Sequence, residues 1–369
     1  MPNIGFETPE VSKMKASIQR AQAFYERFGL SAPILLAPMA GASAPSLSIA
    51  VANAGGLGAC GVLLMQPDEI RAWSNEVRSK SNGKFQLNVW IPDDAPVRDR
   101  ARETAVREFL VHWGPPVPPE AGNALLPVFA DQCEAMLEVA PPILSSVMGL
   151  FPAPFVKRMK DRGIHWFATV STVGEAKAAE AAGADVIVAQ GAEAGGHRAS
   201  FEPGEAETKL VGMFSLLPAV VDAVRLPVVA TGGIADARAL AAALTLGASA
   251  VQIGTGFLRC PESAIHPAWS EALSRAAPED TMLTRAFSGR AGRSIATEYV
   301  RAAAGDAAPA PAPYPVQRGL TAVMRASGTK DGDLRRMQLW AGQSASMARK
   351  EPAAVVLSTM WDSALALLA

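Results

Sequence analysis

Short aliphatic runs alternate with alanine-rich, helix-compatible stretches through most of this chain, and that alternation restricts the fold more than any other feature. Strands buried on both faces read as continuous apolar runs, and parallel neighbours need a crossover helix between them. Eight such runs stand out: Ile34–Ala37, Gly55–Ala59, Phe85–Trp90, Ile143–Val147, Trp166–Val170, Val186–Ala189, Pro227–Ala230 and Ala250–Ile253. Helices are expected between most of them. One covers Ser46–Asn53. Another starts at Thr172, where Glu175 completes a capping box, and stops at Gly183. A third runs from near Asp236 to Gly247. Eight strands within roughly 230 residues fit an α/β chain folded as a (β/α)8 TIM barrel. A doubly wound sheet would need a topological switch, and none can be located.

The barrel is expected over residues 28–262, with two interruptions of the pattern. Pro92–Pro142 is long for one crossover, and Pro115–Pro119 marks an irregular connection. After the last barrel strand, residues 263–342 read as a small, mostly helical lid. Ala303–Pro315 is an Ala/Pro-rich extended linker within it. Leu339–Gln343 then returns the chain to a final helix within residues 343–369.

With 49% hydrophobic and 19% charged residues, the 369-residue chain reads as well packed and soluble. Its 34 basic and 35 acidic residues nearly cancel, so no broad field favours nucleic acid or an anionic membrane. Any bound anion must be held by local groups. Cys60, Cys133 and Cys260 are too far apart for a disulfide framework or a metal set, and Cys60 reads as core. Met1–Lys15 has no apolar signal-peptide segment, and no apolar run reaches membrane-spanning length. The expectation is a cytoplasmic protein acting on a small molecule, with a homodimer allowed.

The chemistry concentrates at strand ends. Gln190-Gly191-Ala192-Glu193-Ala194-Gly195-Gly196-His197-Arg198 follows an apolar strand directly. Its small residues let the backbone approach a ligand, and it presents an imidazole and a guanidinium where barrels place their chemistry. His197 is therefore the candidate catalytic residue, although a histidine supporting its own loop is the simpler alternative. His112, His165 and His266 have weaker settings. Glycine turns at Thr231-Gly232-Gly233 and Gly254-Thr255-Gly256 follow the last two strands, the usual phosphate position of this fold. A phosphorylated substrate and a cofactor phosphate would both suit them. Asn88, Gln190 and Gln252 also stand at strand ends. Such neutral amides suit the carbonyl and N–H edges of a flavin ring, or bond their own loops. No metal-binding pattern, Walker loop or GxSxG motif occurs.

Taken together, Ala37-Pro38-Met39-Ala40-Gly41, Asn53–Gly58, Asn88, Gln190–Arg198, Gly232-Gly233-Ile234, Gln252–Thr255 and Trp340–Gln343 resemble the nitronate monooxygenase (2-nitropropane dioxygenase) family of flavin enzymes. The resemblance implies a TIM barrel with bound FMN that oxidises alkyl nitronates, such as propionate 3-nitronate, with dioxygen to a carbonyl compound and nitrite or nitrate. It implies FMN contacts from Pro38, Met39, Ala40, Asn88, Gln190, Gly195, Gly232, Gly233, Gln252, Ile253, Gly254 and Thr255. His197 would lie near the reacting face of the flavin, with Arg198 and Tyr314 toward the substrate. His197 could act protonated, stabilising negative charge, or neutral, as a base. The chain departs from one bacterial branch after Tyr314-Pro315, where Arg318 and Ala322 replace a Tyr and a Lys that line the pocket. Flavin-dependent enoyl-acyl-carrier-protein reductases share the Gly-Gly-His signature, so an NAD(P)H-dependent reductase of quinones or enoyl thioesters is the alternative. A flavin-free barrel lyase or isomerase is a further one.

Overall fold

The computed structural model describes residues 9–369 apart from residue 124, with side chains from residue 16 onward. The first part of the Met1–Lys15 reading lies outside the described residues. Helix α1 (Pro9–Arg27) leads to strand β1 (Ile34–Leu36), α2 (Pro45–Asn53), β2 (Gly58–Gly61), α3 (Pro67–Lys80), β3 (Phe85–Trp90), α4 (Arg100–Leu110) and α5 (Phe129–Val139). Next come β4 (Ile143–Val147), α6 (Ala153–Lys160), β5 (His165–Val170), α7 (Val173–Ala181), β6 (Val186–Gln190) and the two-residue β7 (Gly196–His197). They are followed by α8 (Met213–Ala223), β8 (Val228–Thr231), α9 (Ala237–Thr245), β9 (Ala250–Ile253), α10 (Pro267–Arg275) and β10 (Thr281–Thr284). The chain ends with β11 (Gly292–Ile295), α11 (Glu298–Ala303), α12 (Val316–Leu320), α13 (Ala322–Asp331) and α14 (Ala353–Leu368).

Eight strands form one sheet in the order β1-β9-β8-β6-β5-β4-β3-β2, every neighbour parallel. A bridge between Leu35 and Leu57, with Leu36 N–H donating to Leu57 O at 2.8 Å, closes it into a TIM barrel. The expected strands are all present, with small shifts of bounds. The largest is at the second, which starts at Gly58. Ala54 caps α2 and Gly55 sits at φ 91°, so Gly55 and Gly56 belong to the helix exit.

Side-chain alternation splits each strand between two layers. Leu35, Phe167, Val188, Val229 and Ala250 cluster inside the barrel, while Ile34, Leu36, Ala168, Ala230 and Val251 join the layer under the helices. The interior cluster also includes Phe24 of α1 and Phe28 just after it. The Phe28 ring packs edge-on against Phe167 at 5.1 Å, plugging the N-terminal end of the barrel. Only the opposite mouth is left for a ligand. Around it the strand ends turn polar: Asn88, Thr169, Gln190, Thr231 and Gln252 all reach a cavity there.

The segment after β9 is largely helical, as expected, and also contains a small antiparallel sheet, β10-β11-β7. Its third strand comes from the loop after β6. The lid draws on a second piece of chain as well. Val106 and Leu110 of α4, within the long 92–142 connection, pack with Phe287, Tyr299, Val316 and Leu320. The amphipathic pattern of α4 marks an apolar face but not the partner that covers it. Among the described residues no helix is long and apolar enough to cross a membrane, and no His/Cys/Asp/Glu group is placed to hold a metal.

Candidate active site

The cavity at the C-terminal mouth measures about 440 Å³, within the range of small-molecule sites. Its inner wall is the loop after β6. The Gln190 amide pins this loop, its Nε2 donating to His197 O at 3.1 Å and its Oε1 accepting from Ala199 N–H at 2.9 Å. Gly195 crosses the Ala341-Gly342 backbone so closely that an added Cβ would stand 2.5 Å from the Ala341 carbonyl carbon. His197 pairs with Gly292 of β11, so the lid sheet holds its backbone.

The His197 ring is held as firmly as its backbone. Trp90 and Trp340 flank it at 4.6 and 4.7 Å between centroids, and its Nε2 lies 2.7 Å from Ser288 Oγ. The Ser288 hydroxyl also reaches Arg290 O at 3.1 Å and accepts from Arg290 N–H at 3.3 Å, so the loop at Ser288–Arg290 fixes the oxygen that meets the ring. Burial, followed by the Arg290, Arg318 and Arg325 cations, pushes His197 down to about 3. Of the two protonation states compatible with the sequence, the neutral imidazole is the one this environment sets.

Arg198 is not brought to the cavity. Its guanidinium is buried, at 2% exposure, and donates to the carbonyls of Gly191 and Gln190. Adjacent residues of an extended segment face opposite ways, so a cavity-facing His197 turns Arg198 into the loop's own backbone. The same alternation removes Ile253, which is 1% exposed and packed in the core, while Gln252 and Gly254 reach the wall. Pro38, Met39, Ala40, Asn88, Gln190, Gly195, Gly232, Gly233 and Thr255 all line the cavity. At their end Gly232 and Gly233 adopt φ 116° and 72°, conformations that need glycine. Thr255 Oγ1 accepts from Gly342 N–H at 3.0 Å, and Ser344 Oγ donates to Gly233 O at 2.7 Å. Trp269 lines this cavity, and its buried indole N–H has no partner among the described residues.

The lid supplies the facing wall, including Tyr314, Arg318, Arg325 and Gln338. Ala322 is exposed and off the wall. No Asp, Glu or Lys lines the cavity among the described residues. Trp90 was legible in principle, because it stands two residues after Asn88 on β3 and so shares its face. Ser288, Arg325 and Gln338 carry no local sequence signal. They arrive through lid packing.

Residues 23–360 match the family model for nitronate monooxygenase. The chain belongs to the nitronate monooxygenase family. A nitronate monooxygenase of Paraburkholderia phytofirmans is 37% identical over 349 residues, covering 92% of this chain and 94% of that protein. One from Pseudomonas aeruginosa is 37% identical over 342 residues, covering 91% and 97%. Among solved structures, nitroalkane oxidase from Streptomyces ansochromogenes gives a TM-score of 0.83 at 33% identity, covering 94% of this chain and 100% of that one. FabK from Thermotoga maritima gives 0.72 at 28%, covering 94% and 96%. The family match spans the barrel, the lid and the first half of α14, so it includes every wall of the cavity.

Proposed function

We propose that this chain is an FMN-dependent oxidase of alkyl nitronates. The observation that carries the reading is the neutral, doubly flanked His197, anchored through Ser288 at a cavity with no carboxylate among its described lining residues. The cavity fits FMN in chemistry. Glycine turns at one end suit a phosphate, the strand-end amides Asn88 and Gln252 suit a ring edge, and the orphaned Trp269 N–H offers a further donor. Pro38, Met39, Ala40, Gly195, Gly232, Gly233, Gly254 and Thr255 would hold the cofactor together with Gln190. When bound, FMN supplies the electron-accepting and oxygen-dependent chemistry.

The chain's own groups do the rest. Trp90 and Trp340 exclude water from the imidazole and fix its plane. A neutral His197 can take the α-proton of a neutral nitroalkane, while a nitronate needs no proton removed. An anion entering the cavity is drawn by Arg318 and Arg325, since neutral His197 adds no charge and Arg198 is bound up in its loop. The lid, built mainly from residues 263–342 and joined by β7 and α4, covers this end.

H197N should keep its flavin spectrum and lose at least about 100-fold in turnover with a neutral nitroalkane, measured as oxygen uptake. Wild-type rates in that variant would remove the assigned role. Anaerobic mixing tests the reaction class, with prompt flavin bleaching expected from propionate 3-nitronate. Bleaching by NADPH and not by the nitronate would overturn the reading in favour of a reductase.

A further inference from the structure

We propose that Gln86, buried inside the barrel, is a positioning residue that fixes the side-chain amide of Gln252 so that its N–H groups are presented to the flavin ring. The inference rests on the FMN reading of the cavity and deepens it, by naming a side chain that acts on the flavin through another. Gln86, Asn88 and Trp90 share the inward face of β3, while Phe85, Leu87 and Val89 join the layer under the helices. Asn88 and Trp90 line the cavity, whereas Gln86 does not and is 0% exposed. It stands opposite Ile143 in the register of β3 and β4, and Ile143 belongs to the apolar interior cluster with Leu35, Leu57 and Phe167. An amide among such neighbours is costly unless its groups are used. One is not: Gln86 Oε1 is fully buried and has no hydrogen-bond partner among the described residues. The other makes two bonds, Nε2 donating to Leu36 O at 3.3 Å and to Gln252 Oε1 at 3.0 Å.

Those two bonds decide which way both amides face. Leu36 O is a backbone carbonyl and can only accept, so the end of Gln86 that meets it is the N–H end. The second N–H then requires an acceptor, which Gln252 supplies by turning its Oε1 toward Gln86. Gln252 lines the cavity, and among the described residues its Nε2 donates to no protein group. Thr231 Oγ1 donates to Gln252 O at 2.8 Å and holds the backbone of the same residue.

The other two strand-end amides are not set in this way. Both ends of Gln190 are engaged by its own loop. Asn88 Nδ2 donates to Ser145 Oγ at 3.0 Å, but a hydroxyl can donate or accept, so either orientation of that amide would be satisfied. Of the three, Gln252 carries an imposed polarity, and it is that of a donor. A flavin ring gains electron density at its carbonyl edge on reduction, so an N–H donor fixed there favours the reduced form and raises the potential. Without Gln86 the Gln252 amide is free to turn its oxygen to the ring, and that advantage shrinks.

The midpoint potential of the bound flavin, measured on the holoenzyme against a reference dye, tests this. Q86M keeps the length of the side chain and removes the donor. It should reduce the preference for reduced over oxidised flavin about fivefold, the worth of one neutral hydrogen bond, which is about 20 mV lower for a two-electron couple. Q86L should give the same shift. Q252M should lower the potential at least as far, and adding Q86M to it should have no further effect. An unmoved potential in Q86M overturns the proposal, as does a shift in only one of the two Gln86 variants, the mark of altered packing. So does a Q86M shift that persists undiminished beside Q252M, because Gln86 would then not act through Gln252. A wild type that purifies without flavin and binds no added FMN would remove the FMN reading and this proposal together. A flavin-bearing wild type whose potential does not respond to Q86M removes the proposal alone.

Discussion

An imidazole flanked by Trp90 and Trp340 and facing three guanidinium groups cannot hold a proton near neutral pH, and that has a measurable cost in acid. His197 is pushed down to about 3 from its ordinary value near 6.5. Between those values the unfolded chain carries a proton at this position and the folded chain does not. Stability contributed by the neutral ring is therefore present above about pH 6.5 and is lost as the pH falls, by up to about 1.4 kcal/mol per unit. Urea midpoints measured from about pH 7.5 to about pH 4.5 should fall less steeply in H197Q than in the wild type. Equal slopes would mean that His197 titrates normally. His197 was legible from its glycine-rich setting, whereas its charge state was not, because Arg290, Arg318 and Arg325 lie about a hundred or more residues away in sequence.

At the scale of elements, the loop after β6 is a joint between barrel and lid. Gln190 belongs to the barrel, Gly196 and His197 to the lid sheet, and Gly195 crosses the returning Ala341-Gly342 segment with no space for a side chain. Gln343 N–H donates to Glu193 O at 3.0 Å, and the Gly342 and Ser344 bonds tie the same return to the loops after β9 and β8. G195A should cost at least about 2 kcal/mol in urea unfolding, since neither backbone can retreat, and should weaken flavin retention. G204A, where an added Cβ meets nothing within 4 Å, should stay within about 0.5 kcal/mol of the wild type. If G195A behaved like G204A, the crossing would not constrain the loop. Sequence reading found this segment and the Trp340–Gln343 segment separately. Their contact was invisible because it joins positions nearly 150 residues apart, with no local pattern to mark it.

At the scale of the whole molecule, the chain closes its barrel with both of its ends. The region of α1 plugs one mouth with Phe24 and Phe28, and α14 packs over α2 and α9 on the outside. Val356, Leu357, Met360 and Leu368 of α14 are buried, and their burial contributes roughly 6 kcal/mol or more. That is comparable with the ~5–15 kcal/mol that holds a domain folded. Truncation after Lys350 should leave a protein without cooperative thermal unfolding in circular dichroism; a soluble, cooperatively melting product would show α14 to be dispensable. By itself the sequence determined the barrel, its strand ends and the histidine loop, because strand and helix periodicity and glycine turns are local properties of a chain. Only the tertiary structure decided that His197 is neutral, that Arg198 serves the loop, that α4 joins the lid, and that Arg318 and Arg325 reach the cavity with no carboxylate partner among the described residues. Each of these depends on charge or packing between segments distant in sequence, and a local pattern cannot encode which distant surface will cover it.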